Sequence, residues 1–357
     1  MTLKRESIIT VAIDRCNMKC RYCYLGGKIH NASSASSSGI NDNIRQIILD
    51  AKPQNVKFYG GEPLIEKDFF YEVTNEIRKV NRDTVIWLST NGTLLNREDI
   101  EYISENNVKI IFSMDGDSNV LNKNRIFPDG SMAFDRLRDK LSLAISLLKD
   151  KNKLDLLYVS FVAMPESNLK NVYSWLYNKG IKNVKANMLC KYLNDKERDG
   201  LIARVDGVLR FAYACRDSEI SKIIENDLLG EFNAFYNNFR KEEPNCSKEG
   251  PLNIVLGLDG KYYFCGIVQF DESYEVGNIQ DGIDKRKIES IIFNSMEHCG
   301  SFCADCGIQK YCLGGCPQRL RIYSDNFKEK DNFYCAYMKL SLLWSVKFRE
   351  NKINSSA

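Results

Sequence analysis

Histidine is almost missing from this sequence: His30 and His298 are the only two in 357 residues. A metal site here must therefore be built almost wholly from other ligands. Long apolar runs are missing too, since none approaches the roughly 18 residues a membrane span needs. Nor is there an excess of charge of one sign. Fifty Lys and Arg against 47 Asp and Glu leave a net +3. That balance gives no electrostatic case for a nucleic-acid or membrane-surface partner. The first six residues, Met1 to Glu6, carry a charge every few positions and lead into a strand-like run, so they do not read as a signal peptide. A cytoplasmic location is expected. No internal repeat stands out.

Cysteine is what the chain has in excess. Its 13 cysteines are an odd number, in a chain too large to need disulfide staples. In a reducing compartment such a count reads as metal ligation. With so little histidine the sites are all-thiolate, which means iron–sulfur clusters or structural zinc.

The first half alternates strand and helix. Six β-branched runs, Ile8–Ile13, 56–59, 85–89, 108–113, 156–162 and 184–189, are separated by amphipathic segments at 43–51, 69–80, 97–105, 134–148 and 169–178. In the fourth, Leu137, Leu141, Ile145 and Leu148 form a helical stripe and are assigned to the core. Repeated β-α units imply a parallel sheet with right-handed crossovers, and six suit a partial barrel better than a closed one. One long helical stretch is expected over 201–240. Composition changes at Lys241-Glu242-Glu243-Pro244, and eight of the 13 cysteines fall at or beyond residue 246. Two domains, 1–240 and 241–357, are expected. The serine-rich stretch 31–38 reads as a surface loop.

Cys16, Cys20 and Cys23 follow the first strand as C-x3-C-x2-C, at the edge where parallel α/β proteins build active sites. Three thiolates can hold three irons of a 4Fe–4S cluster and leave the fourth open. Zinc remains the alternative, with His30 as the one nearby fourth ligand. Gly60-Gly61-Glu62-Pro63 ends the second strand, where an ordinary turn is the plainer reading. Ser89-Thr90-Asn91-Gly92 ends the third strand and Ser113-Met114-Asp115-Gly116 the fourth.

This set resembles the radical S-adenosylmethionine enzymes, whose signature is C-x3-C-x-aromatic-C, with Tyr22 in the aromatic place. The resemblance implies a partial (β/α)6 barrel whose cluster chelates S-adenosylmethionine and cleaves it to a 5′-deoxyadenosyl radical. It implies cofactor contacts from Tyr22, Gly60, Gly61, Glu62, Ser89, Asn91, Ser113, Asp115 and Arg125. In particular, the pairing of Ser113 with Arg125 is implied to hold the ribose and carboxylate. A surface salt bridge is the plainer fate of Arg125.

Beyond residue 245 the pattern is Cys246, Gly260, Cys265, then Cys303-x2-Cys306-x5-Cys312-x3-Cys316, then Cys335. It resembles the SPASM extension of radical enzymes. The resemblance implies two auxiliary 4Fe–4S clusters, a distal one on Cys303, Cys306, Cys312 and Cys335, and a proximal one on Cys246, Cys265 and Cys316. The fourth proximal position is Cys299 or is open. Zinc is again the alternative. Cys190 and Cys215 match no motif and are assigned as buried thiols, although Cys190 ends the sixth strand near the expected cavity.

The resemblance implies an enzyme that abstracts hydrogen from a peptide, with an electron donor such as flavodoxin or ferredoxin. Without cofactor motifs the chain would read as an electron-transfer iron–sulfur protein. Because it starts almost at its first strand, a leader-binding domain is expected to be absent or to be a separate recognition protein. Sulfatase-maturing relatives place an aspartate directly after the cysteine of G-x4-C, where it acts as the base. Here that residue is Gly266, so a ribosomally made peptide that receives a crosslink is the expected substrate. Formylglycine formation is the alternative. If Gly266 merely serves a turn, the base comes from elsewhere, such as Asp259 or Asp271; no residue is assigned as the base.

Overall fold

The computed structural model describes residues 8–26, 29–31, 38–119, 121–189, 193–237, 253–312, 319 and 330–354. The described chain forms two compact units, Met1–Val159 with Glu249–Ile291, and Ser160–Lys248 with Ile292–Ala357. Residues 241–357, expected as one domain, are thus shared between them. Among the described residues no helix is long and apolar enough to cross a membrane.

The fold is α/β with a parallel-sheet core. The first unit contains β1 (Ile8–Ile13), β2 (Asn55–Gly60), β3 (Val85–Thr90) and β4 (Lys109–Ser113) as parallel neighbours in that order. Helices α1 (Ser38–Ala51), α2 (Lys67–Val80), α3 (Arg97–Glu105) and α4 (Phe134–Asp150) lie between and after them in sequence. Ile9, Val11, Ala12 and Ile13 of β1 are wholly buried. Each large apolar side chain so covered contributes about 1.5–3 kcal/mol. In β3 the pleat alternates: Ile86 and Leu88 are buried, while Trp87 and Ser89 keep partial exposure on the other face. Phe69, Phe70, Val73 and Ile77 of α2 are buried, a stripe at helical spacing. The α4 stripe of Leu137, Leu141, Ile145 and Leu148 is core, as expected. Helix α3 starts where Asn96 and Asp99 form a reciprocal capping box.

Beyond the expected strands, β7 (Asn253–Gly257) joins the other edge of β1 in parallel, from Ile8 opposite Asn253 to Ala12 opposite Gly257. Three antiparallel pairings follow, β7 with β8 (Lys261–Tyr263), β8 with β9 (Glu275–Asn278) and β9 with β10 (Gly282–Ile283). This brings Cys265 into the unit that carries the first cysteine loop.

Strand β5 (Leu157–Ala163) straddles the boundary of the units, and the second unit continues with α5 (Leu169–Asn178) and β6 (Asn183–Met188). Instead of one helix over 201–240 there are two, α6 (Asp195–Ala214) and α7 (Glu219–Asn237). The break has a local cause. Ser218 Oγ donates to the Cys215 carbonyl at 2.6 Å and accepts from Ser221 N at 3.3 Å, which turns the chain. Helices α8 (Lys285–Cys303), α9 (Gln309–Cys312) and α10 (Asn332–Asn354) complete the described set.

Candidate active site

The C-terminal ends of β1 to β4 carry the site. Cys16, Cys20 and Cys23 are all half-buried on the loop after β1. Burial pushes the Cys16 thiol up to about 12 and raises those of Cys20 and Cys23. Cys20 and Cys23 each add to the rise at Cys16, so the three thiols are neighbours. Cys16 Sγ accepts hydrogen bonds from Met18 N at 3.4 Å and from Asn91 Nδ2 at 3.9 Å. Thiols so buried become thiolates only beside a cation, which is what iron supplies. Among the described residues no three His, Cys, Asp or Glu groups converge on one ion position. Ligands of a four-iron cluster do not need to converge, because each reaches a separate iron. The donor set therefore fits a cluster.

The Gly-Gly-Glu turn is built against this loop. Gly60 has φ +115°, and a Cβ there would lie 2.4 Å from the Ile13 carbonyl oxygen. At Gly61 a Cβ would lie 2.0 Å from the Arg15 carbonyl oxygen. Gly61 N and Glu62 N donate to the carbonyls of Ile13 and Arg15, both at 2.7 Å. The close approach that these glycines permit is thus to the backbone that launches the cysteines. Glu62 is wholly buried. Its carboxylate accepts from Thr90 Oγ1 at 2.7 Å, Asn91 N at 2.6 Å and Leu64 N at 3.1 Å. Burial raises its carboxyl to about 7 while these bonds pull the other way.

Asn91 continues the chain of contacts, donating to Asn17 Oδ1 at 2.9 Å, and Asn17 in turn donates to Thr93 Oγ1 at 2.9 Å. Asn17 and Thr93 carried no motif and escaped the sequence reading. Ser89 and Ser113 sit half-exposed at the ends of β3 and β4.

Arg125 is buried, which overturns its surface reading. It holds Asp115 through Nε at 3.1 Å and Nη2 at 3.0 Å, and its guanidinium lies 5.6 Å from the Tyr22 ring centre. Tyr22 donates to Asp115 Oδ2 at 2.5 Å. Burial lowers the Arg125 pKa, but Asp115, Tyr22 and Cys20 raise it further, so it stays a cation beside the cysteine loop. Lys19 N and Arg21 N donate to the carbonyls of Ile126 and Asn124 at 2.8 and 2.9 Å, stitching the two loops together. Asn122, wholly buried, accepts from Asp115 N at 3.0 Å and fixes the Asp-Gly turn.

On the Cys265 side, Gly260 of the G-x4-C motif closes the β7–β8 turn at φ +77°. Gly266 has no such constraint: a Cβ there would meet only the Tyr59 ring, at 3.6 Å, an ordinary contact. Gly266 does lie in a turn, closed by Val268 N donating to the Cys265 carbonyl at 3.2 Å, but its backbone conformation there does not require glycine. Asp259 accepts from the Tyr263 hydroxyl and from Lys261 N, and Asp271 caps Ser273 N at 3.1 Å, so both bind their own turns.

In the second unit Cys303, Cys306 and Cys335 act on one another electrostatically. Cys312 is buried with Met338, three residues beyond Cys335. Burial raises the thiols of Cys303 and Cys335. Cys246, Cys316 and Cys190 lie outside the described residues, and of Cys299 only the helical backbone is described. Cys215 is half-buried at the end of α6, its Sγ 3.1 Å from the Phe211 carbonyl, and not fully buried as expected.

Such an edge, with thiols, glycine turns and a buried cation at successive strand ends, is that of an iron–sulfur α/β enzyme. Residues 10–140 match the radical SAM superfamily. The matched region is that of an enzyme domain that uses a 4Fe–4S cluster and S-adenosylmethionine. The chain is 25% identical over 365 residues to a cysteine-type anaerobic sulfatase-maturating enzyme of Clostridium perfringens, covering 93% of this chain and 94% of that protein. Its fold resembles that of anSMEcpe with bound AdoMet and Cp18Cys peptide, with TM-score 0.72, 21% identity, and 98% and 100% of the two chains covered. It also resembles Streptococcus suis SuiB bound to precursor peptide SuiA, with TM-score 0.57, 14% identity, and 93% and 76% covered.

Proposed function

We propose that this enzyme abstracts hydrogen from a ribosomally made peptide and installs a crosslink or a related modification. Cys16, Cys20 and Cys23 would hold the N-terminal cluster. Cys303, Cys306, Cys312 and Cys335 would hold one auxiliary cluster, and Cys246, Cys265 and Cys316 the other. When bound, the cluster and cofactor supply reductive cleavage of S-adenosylmethionine and a hydrogen-abstracting adenosyl group. Tyr22, Gly60, Gly61, Glu62, Ser89, Asn91, Ser113, Asp115 and Arg125 frame the cofactor position. The Arg125 cation and the Asn91 amide stabilise thiolate at Cys20 and Cys16. An electron donor of the flavodoxin or ferredoxin type is the proposed reductant.

The observation that carries this reading is Gly266. The backbone there accepts a side chain without strain, yet the aspartate that sulfatase maturation places after this cysteine is missing. Nothing at this position takes a proton from a substrate thiol or hydroxyl. Formylglycine formation remains the second reading, favoured by the Clostridium perfringens relative that covers 93% of this chain.

Loaded, reduced enzyme incubated with a sulfatase Cys-motif peptide decides between the two. No formylglycine is expected, whereas a co-encoded precursor peptide should lose two hydrogens. Formylglycine in the product would overturn the reading. Gly266→Ala should leave stability within about 0.5 kcal/mol of the parent by thermal unfolding, because a Cβ there makes only ordinary contact with the Tyr59 ring.

A further inference from the structure

Beside the first cysteine, three side chains close a ring of hydrogen bonds. Asn91 Nδ2 donates to Asn17 Oδ1 at 2.9 Å, and Asn17 Nδ2 donates to Thr93 Oγ1 at 2.9 Å. Thr93 Oγ1 donates back to Asn91 Oδ1 at 2.6 Å. Thr93 is wholly buried and Asn91 nearly so.

One further bond fixes the sense of this ring. The Thr93 backbone N–H, which can only donate, meets Asn91 Oδ1 at 2.9 Å. It is the turn that an asparagine side chain makes with the backbone two residues on. The Asn91 amide oxygen therefore faces Thr93, and its nitrogen faces Asn17 and Cys16. Asn17 then presents its oxygen to Asn91 and its nitrogen to Thr93, whose hydroxyl proton goes to Asn91. An amide nitrogen carries two protons. Asn17 takes one of them, and the other faces Cys16 Sγ at 3.9 Å, within reach of the large sulfur atom. The Asn91 backbone is held as well, its N–H donating to the Glu62 carboxylate at 2.6 Å. With Oδ1 accepting twice and Nδ2 donating twice, the Asn91 side chain has no bond left for the cofactor.

We propose that Asn91 tunes the N-terminal cluster: Asn17 and Thr93 aim its second amide proton at the Cys16 sulfur, which raises the potential at which the cluster accepts its electron. The inference rests on the reading of Cys16 as a cluster ligand. Reduction transfers one electron from the donor to the cluster and makes the cluster sulfurs more negative. An N–H directed at one of them thus stabilises the reduced state more than the oxidised one. The Met18 backbone N–H, 3.4 Å from the same sulfur, is present in every side-chain variant and acts as a constant. Asn17 and Thr93 are positioning residues that act through Asn91.

The test uses full-length protein loaded anaerobically with iron and sulfide. It is titrated with dithionite and mediators, without S-adenosylmethionine, and followed by electron paramagnetic resonance. The N-terminal cluster is the signal absent from Cys16→Ala. Asn91→Leu should keep its iron. At a fixed solution potential, its ratio of reduced to oxidised N-terminal cluster should fall about tenfold, which is 59 mV for a one-electron couple. The other clusters should not move. Asn17→Leu and Thr93→Val should shift the same cluster in the same direction by less, since the amide is still present but no longer held. Asn17→Leu combined with Asn91→Leu should shift it no further than Asn91→Leu alone, which a general loosening of the loop would not reproduce.

An unchanged titration in iron-replete Asn91→Leu overturns the proposal, and so does an equal shift of every cluster. Weaker S-adenosylmethionine binding with an unchanged potential would make Asn91 a cofactor contact instead. Additive shifts in the double variant would remove Asn17 from its positioning role. If Asn91→Leu fails to load iron, Asn17→Leu and Thr93→Val decide on the same terms. Cys16→Ala tests the underlying reading separately and should lose about four irons per chain. If it retains them, the ligand assignment fails, whatever the other variants show.

Discussion

Arg125 is 6% exposed and Asp115 is 1% exposed. Their two-bond pairing is therefore a buried ion pair, and removing one partner leaves the other charge uncompensated. Arg125→Ala should cost about 3–5 kcal/mol in urea unfolding of the cluster-free protein. A loss below about 1 kcal/mol, the range of a surface pair, would show that the burial is not as described. Glu62 gives a pH signature. Its folded pKa, about 7, is raised above an unfolded value near 4.5. Its contribution to stability is thus full below pH 4.5 and is lost as pH rises through 7. Relative to Glu62→Gln, the parent should lose up to roughly 3 kcal/mol across that window. A difference that is flat with pH, in paired unfolding curves, would count against a buried, raised carboxyl.

At the scale of elements, the end of β2 acts as an anvil for the cysteine loop. At Gly61 a Cβ would lie 2.0 Å from the Arg15 oxygen and 2.6 Å from its carbon, both backbone atoms that cannot swing aside. Gly61→Ala should therefore cost more than the 1–3 kcal/mol of ordinary overpacking and should reduce iron retained per chain. Normal iron content in that variant would separate the turn from the cluster site. The six strands and most helices were legible because β-branched runs and apolar stripes mark them directly, as in β1 and α4. The cysteine spacings were legible because ligand spacing is local in sequence. The pairing of Arg125 with Asp115 was not legible, because the two lie ten residues apart and such a pairing leaves no periodic trace. The contact of Asn91 with Asn17 was invisible for the same reason, since it joins residues 74 apart in sequence. The break between α6 and α7 was missed because Ser218 acts through its hydroxyl and not through hydrophobic pattern.

The whole molecule departs from a simple order of barrel first and cysteine domain second. Strand β1 lies between β2 and β7, and β7 comes from residue 253 onward. Four residues of β1 are wholly buried, and the loop that bears Cys16, Cys20 and Cys23 starts where β1 ends. A chain cut after residue 240 would strip β7 and leave β1 with one row of unpaired backbone groups, an edge that invites aggregation. It would also remove the β8 hairpin, where Tyr263 packs on Ala12 and Val255 in one buried cluster. The expected outcome is that the 1–240 fragment accumulates as insoluble protein and holds no iron, although it contains every residue of the first cysteine motif. Soluble yield and iron per chain, compared with the full-length protein, measure this. A soluble fragment that carries about four irons would show that the barrel strands fold without their C-terminal edge, and that β7 serves the auxiliary cysteines alone.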